Sequence, residues 1–385
     1  MPKKIAITSI SSLSALGATA TAVWQNYLSQ KTCITEQTIG KQTVPAAVLP
    51  DFLKNDLQQL RNSDKKYAVL DNSVLFAIYA ARNAVKKANW TGDAVFGINI
   101  GSSRGATQLF EKSYSEFLTT NKTPVLTSPT TTLGNISSWV AHDLQSQGPT
   151  ISHSVTCSTA LHALLNGVAW LRAGMADKFL VGGSEAPLTP FTLAQMQALK
   201  IYSNLNTSTY PCKALDLNKK SNTMVLGEGA AMACLEIGER PNALCYVEGI
   251  GYANDLLQHS LSISDEAECF QKSMAMAMQN VNKEEIDVIV MHAPGTVKGD
   301  QSEMKAIQKL FNNQIPLLTT NKWKIGHTFG ASGMLSIEMA VVMLQHQKFI
   351  EVPFIDNKTN HRPIKKILVN AVGFGGNAVS VLLSL

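Results

Sequence analysis

The sequence has few charged residues, no long apolar run and no paired cysteine motif. Charged residues make up only 16% of the 385 residues, which indicates that part of the surface is covered, for example by a second copy of the chain. No run reaches the roughly 18 apolar residues that a membrane helix needs. The net charge of +5, with no clustered basic patch or interleaved aromatic residues, does not predict nucleic-acid binding, although an acidic protein partner remains open.

The six cysteines form no CxxC pair and no ligand-like group with histidine. The sequence therefore predicts neither a zinc site nor a disulfide framework, and a reduced cytoplasm is the simplest location. The first residues, MPKKIAITSI, resemble the start of a signal peptide. Hydroxyl residues interrupt the apolar stretch that follows, so we predict a strand at Lys4 to Thr8 and a protein without a membrane segment.

Predicted strands alternate with predicted helices along most of the chain, which is typical of an α/β fold with parallel or mixed sheets. This alternation of strands and helices occurs twice, and a segment with Gly238 and Pro241 separates the two occurrences. We therefore predict an N-terminal half, residues 1–240, and a C-terminal half, residues 241–385. No residue-level repeat relates the two halves.

Within the first half, the segment up to about Asp64 looks polar and irregular, and a single long helix is predicted for residues 67–88. A Thr-rich loop is predicted at residues 127–132, and a buried strand at residues 150–155. In the second half we predict, among other elements, a strand at 286–291 and helices at 301–311 and about 330–345.

One stretch, Thr150 to Gly174, carries a cysteine between a predicted strand and a predicted helix. The helix is indicated by apolar residues at helical spacing, namely Leu161, Leu164, Leu165 and Val168. At a helix start, unpaired backbone N–H groups and the helix dipole favour a thiolate, so Cys157 is a candidate nucleophile. A small buried apolar side chain is the other interpretation, and the stretch alone favours neither.

Three places in the second half carry candidate site residues. His292, in MHAPGTVKGD, follows a predicted buried strand, and sites in α/β folds gather at such strand ends. His327, in NKWKIGHTFGASG, precedes small residues that permit close backbone approach. VGFGGN, Val372 to Asn377, is either a tight hairpin or an anion-binding turn. Taken singly, each histidine could equally be an ordinary polar residue, as we expect for His142, His153, His162, His259, His346 and His361.

Together these motifs resemble the β-ketoacyl-acyl-carrier-protein synthases, in particular the elongating branch with a Cys-His-His centre. HxxGTxxGD, KxxxGHxxGAxG and GFGG follow the cysteine in that order, and the resemblance covers nearly the whole chain. TCS, GGSEA (Gly182 to Ala186) and LGEGAA (Leu226 to Ala231) also occur in family order. The resemblance implies a thiolase fold, with two similar halves in a five-layered αβαβα sandwich, and a homodimer or a heterodimer with a related chain.

The resemblance also implies a reaction, the decarboxylative Claisen condensation of an acyl group with malonyl-acyl carrier protein. Cys157 would hold the acyl group as a thioester. His292 and His327 would stabilise the enolate, and Lys322 would support them electrostatically. The backbone amides of Cys157 and Phe374 would bind the thioester oxyanion. No cofactor is implied beyond the carrier's phosphopantetheine arm, and the product would be a 3-oxoacyl-acyl carrier protein.

The remaining implied contacts concern the substrate and its carrier. Thr296 matches a pantetheine-contacting threonine, and Gly375 lies in the substrate-binding turn. Arg61, Lys65 and Lys66 would dock an acidic carrier protein, or form only a solvated helix start. Arg104, in GSSRG, would line the acyl pocket, or turn away to a carboxylate elsewhere.

The sequence departs from the family pattern at three positions. Pro294 replaces a second pantetheine-contacting threonine, Ser336 replaces a glutamate expected near Lys322, and Asn377 follows GFGG in place of threonine. These changes favour a specialised branch, in a polyene or polyketide pathway, over housekeeping fatty-acid elongation.

Two other members of the superfamily fit the sequence less well. A non-catalytic chain-length partner lacks the cysteine that this chain keeps. A thiolase needs a second cysteine near its C-terminus, whereas the last cysteine here is Cys269.

Overall fold

The structure, a computed structural model, describes residues 3–90, 92, 95–204, 208–256, 264–312, 314–356 and 362–385. The strands are β1 (Ile5–Leu13), β2 (Thr35–Ile39), β3 (Gln42–Ala47), β4 (Gly97–Gly101), β5 (Thr150–Ile151), β6 (Lys178–Glu185), β7 (Leu226–Gly227), β8 (Gly229–Ile237), β9 (Cys245–Asn254), β10 (Val288–Val290), β11 (Leu317–Thr319), β12 (Lys366–Val372) and β13 (Asn377–Ser384). The α-helices are α1 (Ala20–Leu28), α2 (Asp51–Asn62), α3 (Lys65–Ala68), α4 (Asn72–Lys87), α5 (Thr107–Thr120), α6 (Thr127–Thr131), α7 (Asn135–Leu144), α8 (Thr159–Arg172), α9 (Pro190–Ala198), α10 (Glu268–Ala277), α11 (Val297–Phe311), α12 (Lys322–Ile325) and α13 (Ser332–His346).

Ten strands form one sheet in the order β11-β10-β12-β13-β9-β1-β8-β6-β4-β5. The sheet consists of two halves with the same topology. In each half the first strand lies innermost and pairs antiparallel with the last, while the second strand lies parallel to the third and fourth. The chain therefore repeats one five-stranded unit, although no sequence repeat shows it. A separate three-stranded sheet has the order β2-β3-β7.

Helices cover both half-sheets and also lie between them. The central helices α8 and α13 pack against residues of both halves, including Val181 of β6 and Val369 of β12. Twelve of the 15 residues of α13 are buried, as expected for a helix enclosed on all sides. On the outside, α4 packs against the first half and α10 and α11 against the second. These layers make up the αβαβα sandwich that the resemblance implies.

Several predictions about the first half were wrong in detail. The segment before Asp64 contains β2, β3 and α2, and β2 gives no apolar signal because four of its five residues are not buried. The predicted long helix is broken before α4, where the Asp71 carboxylate accepts a hydrogen bond from Ser73 N and caps the new helix. The Thr-rich loop at 127–132 is mostly the short helix α6.

Two further differences lie next to the cysteine stretch. The strand predicted at residues 150–155 is only β5, a two-residue strand at the sheet edge that is not fully buried. The helix α5 was missed because only Thr107 and Ser113 are buried on it, so it carries no apolar stripe facing the core. No helix in the described part of the chain has the length and apolarity needed to span a membrane.

Candidate active site

The predicted site residues come from corresponding places in the two halves. Cys157 lies between β5 and α8, and His327 lies between β11 and α13, so both follow the third strand of their half. Arg104 follows β4 and His292 follows β10, the second strands. Because these strands are parallel within each half, their carboxyl ends lie at one edge, where α/β folds place their sites.

Cys157, His292 and His327 line one cavity of about 230 Å³. Most of the other lining side chains are apolar, and those of Asn222, Thr296 and Lys298 are polar. The remaining lining residues are Ile201, Asn222, Met224, Pro294, Thr296, Lys298, Gly299, Phe329, Val372, Gly373 and Phe374. The structure thus brings together three residues that are separated by up to 170 positions in the chain.

The Cys157 side chain is buried, with 6% of its surface exposed. Burial raises the pKa of its thiol to about 12, the charge of Glu185 adds to this, and Lys322 and Arg104 oppose it. The expectation that the helix start favours a thiolate is therefore outweighed by desolvation, and the resting group is a thiol. A thiol in this state becomes a nucleophile only where a base takes its proton.

The backbone around Cys157 is strained and tightly packed. Thr156 has φ of +47°, a region that β-branched residues rarely occupy. The turn between β12 and β13 presses against it, since a Cβ added to Gly373 would lie 3.3 Å from Cys157 N and 2.0 Å from Thr156 Oγ1. Ala293 and Phe329, next to the two histidines, also have positive φ. Such strain is concentrated at functional sites.

The rings of His292 and His327 lie edge to face with their centroids 5.3 Å apart. Both pKa values are held well below 6.5, first by burial and then by the charge of Lys322. Both imidazoles are therefore neutral near pH 7, and each can donate one N–H and accept one proton. Their Nδ1 atoms are buried and have no hydrogen-bond partner in the described part of the chain.

Lys322 begins α12 and is 1% exposed. Burial lowers its pKa to about 8, although nearby Glu303 and Cys157 act in the opposite direction. The side chain forms no ion pair within 4.0 Å with any residue that the structure describes. Its ammonium group thus supplies a positive charge that acts on the cysteine and on both histidines.

Glu303, on α11, is a site residue that the sequence analysis missed. Its carboxylate accepts hydrogen bonds from His292 N at 3.0 Å, from Ala293 N at 2.9 Å and from Asn370 Nδ2 at 3.1 Å. The sequence does carry a signal for it. Glu303 lies three residues before Ala306, so both lie on the buried face of the helix, where a carboxylate is unusual.

Glu303 also corrects the inference drawn from Ser336. Lys322 still has a carboxylate nearby, although residue 336 is a serine. Burial raises the pKa of Glu303, and the charge of Lys322 acts on that carboxylate in the opposite direction. Glu338 turns away to Ser12, whose hydroxyl donates to it at 2.6 Å.

Glu185, in the GGSEA motif, connects the loops of the two halves. Its carboxylate accepts hydrogen bonds from Ser102 Oγ at 2.8 Å, Ser103 N at 2.7 Å, Arg104 N at 3.1 Å and Gly330 N at 2.9 Å. Burial raises its pKa to about 7 against these bonds. The turn after β4 is therefore fixed against the turn that follows His327.

Thr296, Phe374 and Gly375 lie at the cavity opening or beside it. Thr296 caps α11 by accepting a hydrogen bond from Gly299 N, which leaves its own O–H free to donate. Phe374 is 39% exposed. Gly375 has φ of +92°, as the turn after Phe374 requires, and lies outside the described cavity lining.

Arg104 forms no ion pair with any carboxylate that the structure describes. Its guanidinium donates to the Gln195 side chain and lies over the Phe329 ring, 5.9 Å from the centroid. Because Phe329 lines the cysteine cavity, Arg104 lies directly behind the cavity wall.

The three basic residues predicted to dock a carrier protein differ in their surroundings. Arg61 is held by the carbonyl oxygens of Ala68 and Leu70 and by Asn72, so its guanidinium is already engaged. Lys65 is exposed, and Lys66 lies 3.6 Å from Asp64. The sequence analysis missed Lys298, which lines the cavity.

Four of the remaining histidines have ordinary structural contacts, as expected. His153 bonds Asn99 and Thr159 O, His162 bonds Ser158 O, and His142 and His346 pack against Trp139 and Trp24. His259 and His361 lie outside the described residues.

Two family models match the sequence. The one described as "Beta-ketoacyl synthase, N-terminal domain" matches residues 2–240, and "Beta-ketoacyl synthase, C-terminal domain" matches residues 244–353. Among curated proteins, Nodulation protein E of Rhizobium meliloti is 27% identical over 412 residues, covering 98% of each chain. The 3-oxoacyl-[acyl-carrier-protein] synthase 2 of Coxiella burnetii is 28% identical over 416 residues, covering 99% of this chain and 98% of that protein.

Solved structures share the fold at lower identity. The ishigamide ketosynthase/chain length factor has a TM-score of 0.85 at 19% identity, covering 100% of this chain and 99% of that one. A second structure, of the type II polyketide synthase complex AntDE:AntF with its acyl-carrier protein, has a TM-score of 0.84 at 18% identity and covers all of both chains. The fold class predicted from the sequence is confirmed.

Proposed function

The chain belongs to the β-ketoacyl synthase family, and from that premise we propose that Cys157, His292 and His327 perform its decarboxylative Claisen condensation. The protein is an acyltransferase of the 3-oxoacyl-acyl-carrier-protein synthase type, in fatty-acid or polyketide synthesis. The observation that carries the residue assignment is the shared cavity, in which one thiol lies with two neutral imidazoles.

In the first half-reaction Cys157 takes an acyl group from the carrier's pantetheine thioester. The thiol proton passes to a neutral imidazole as sulfur attacks the carbonyl carbon, and the carrier thiolate leaves and accepts a proton. The amide N–H groups of Cys157 and Phe374 stabilise the tetrahedral oxyanion. The charge of Lys322 favours the developing thiolate, since it already opposes the raised pKa of Cys157.

In the second half-reaction malonyl-carrier protein loses carbon dioxide. The electron pair of the broken bond forms an enolate, and the N–H groups of His292 and His327 donate to its oxygen. The enolate carbon attacks the Cys157 thioester, the cysteine thiolate leaves, and the product is a 3-oxoacyl group on the carrier. Low histidine pKa values suit this step, because both rings must be neutral donors at pH 7.

Carrier-bound substrate enters past Phe374 and Thr296. The free O–H of Thr296 is placed to donate to the pantetheine arm, and Pro294 offers no second hydroxyl. Lys65 and Lys66 provide positive charge for an acidic carrier protein, whereas Lys298 is already paired with Asp265 at 3.0 Å. Arg61 contributes by holding the segment before α4 in place. The chain needs no cofactor of its own.

The protein acts as a dimer, in this proposal a homodimer or a pair with a related chain. β5 is the last strand of the ten-stranded sheet and can pair with its copy across a two-fold axis. Helix α5 exposes apolar side chains that a second subunit would cover, namely Phe110, Tyr114, Phe117 and Leu118. The structural neighbours include a ketosynthase, ApeO, in complex with its chain length factor, ApeC.

A role as a non-catalytic chain-length partner is not favoured, because the nucleophile and both histidines are present and converge. The departures at Pro294, Ser336 and Asn377 support a specialised polyene or polyketide branch.

The test is intact-mass analysis after incubation with acyl-carrier and malonyl-carrier proteins. Wild type should gain one acyl group, and Cys157→Ala should gain none. Cys33→Ala is the matched control, because Cys33 is the least buried of the six cysteines and a non-specific adduct would form there first. An adduct that persists in Cys157→Ala would refute the assignment.

A further inference from the structure

The wall of the cysteine cavity carries a guanidinium group that no described residue neutralises. Arg104 is partly buried and forms no ion pair with any carboxylate that the structure describes. Its Nε is buried and has no hydrogen-bond partner in the described part of the chain. The guanidinium contacts that are present, to the Gln195 amide and the Phe329 ring, are neutral.

Arg104 lies next to the space that an acyl group on Cys157 would enter. Phe329 separates it from the cavity, and the His327 and Phe329 ring centroids are 5.3 Å apart. Cys157 and Phe329 belong to one apolar cluster with Leu193 and Met196 of α9, the helix that also carries Gln195. An acyl chain on Cys157 that followed this cluster past Phe329 would reach the Arg104–Gln195 pair.

Glu185, the carboxylate that Arg104 N contacts, cannot serve as the counter-ion of the Arg104 guanidinium. Glu185 already accepts four hydrogen bonds, one of them from Arg104 N. Those bonds fix the turn while occupying the acceptor positions of the carboxylate. The same bonds hold the Arg104 backbone in place, so a movement of the turn cannot carry the guanidinium away from Phe329.

We propose, on the basis of the proposed function, that Arg104 makes the acyl pocket specific for chains with a hydrogen-bond acceptor oxygen remote from the thioester. An oxo, hydroxyl or carboxylate oxygen on the acyl chain accepts the Nε hydrogen bond that the protein leaves unmade. A saturated chain of the same length desolvates the guanidinium and accepts no hydrogen bond from it, so it is the poorer substrate.

The experiment is a competition for Cys157, read by intact mass. Hexanoyl-carrier and 5-oxohexanoyl-carrier protein are mixed in equal amounts, and adipoyl-carrier protein replaces the oxo chain in a second arm. Wild type should load the oxygenated chain at least about tenfold faster, as a hydrogen bond to a charged group implies. Arg104→Met should bring the ratio to about one or reverse it.

A second variant tests the same idea without removing the arginine. Gln195→Glu places a carboxylate beside the guanidinium and should abolish the preference while Arg104 remains. Arg172→Met is the control, since Arg172 is exposed at the end of α8, and it should keep the wild-type ratio.

The outcomes distinguish the two proposals. If Cys157 of wild type takes no acyl group from any donor, the proposed function fails and this inference fails with it. If Cys157 loads both chains at equal rates, or if Arg104→Met and Gln195→Glu both keep the wild-type ratio, only the specificity proposal is overturned. A preference confined to adipoyl identifies the acceptor as a carboxylate, and one shared by both chains identifies it as any acceptor oxygen.

Discussion

Replacing Lys322 with methionine should make the protein more stable and less active. Lys322 is 1% exposed, and burial lowers its pKa from 10.5 to about 8. Each pKa unit corresponds to about 1.4 kcal/mol, so the charged side chain costs the folded state about 3 kcal/mol at pH 7. Methionine has a similar unbranched length and carries no charge to desolvate.

The sign and the pH window follow from the lowered pKa. Below pH 8 the lysine is charged in both the folded and the unfolded state, and the folded state bears the full cost. Between pH 8 and 10.5 the folded protein releases the proton first, so wild-type stability should rise relative to the variant. We expect Lys322→Met to be about 3 kcal/mol more stable at pH 7, since the lowered pKa already includes the attraction to Glu303.

Urea unfolding of both proteins at pH 7 and pH 9.5 measures this difference. Lys324→Met is the matched control, because Lys324 lies on the same helix and is equally buried, with its pKa also lowered to about 8. Its ammonium, however, donates to Ser29 O and Lys31 O, so its removal leaves two carbonyl groups unpaired and should give no gain.

The activity readout separates this effect from a general change in stability. Lys322 is the largest influence that lowers the pKa of Cys157, so alkylation of Cys157 by iodoacetamide at pH 7 should slow in Lys322→Met. The reasoning fails if Lys322→Met is less stable than wild type at pH 7, or if both lysine variants gain equally at both pH values.

The other predictions concern the site, the subunit interface and the carrier. His292→Ala and His327→Ala should each slow malonyl decarboxylation by about 100-fold to 1,000-fold, and a loss below about tenfold in both would contradict their role as donors. Glu303→Gln should lower the free energy of unfolding by about 1–3 kcal/mol, because His292 N and Ala293 N donate to different oxygens and a glutamine places its NH2 group at one of them; an unchanged urea midpoint would contradict this. The chain should be a dimer by light scattering at micromolar concentration, and a monomer there would exclude pairing through β5. Lys65→Glu combined with Lys66→Glu should raise KM for carrier-bound substrate at low salt, and an unchanged KM would remove both lysines from the docking surface.

The parts of the fold that could be predicted are those with a local pattern. The helix predicted at about residues 330–345 matches α13 (Ser332–His346), and the strand-helix alternation gives the fold class. β2 and α5 could not be predicted, because β2 is mostly exposed and α5 turns its apolar residues outward. Their place in the fold depends on packing that a local pattern does not record.

The sequence by itself determined which residues bring chemistry, because Cys157, His292 and His327 each lie in a motif next to a predicted strand or helix. Only the tertiary structure decided their chemical state. Burial of Cys157 overrides the effect of its helix start, and burial with Lys322 keeps both histidines neutral. The supporting contacts are equally non-local, since Glu185 bonds Gly330 across 145 positions. Desolvation and long-range hydrogen bonds depend on which segments enclose a group, and that is set by the packing of the two halves.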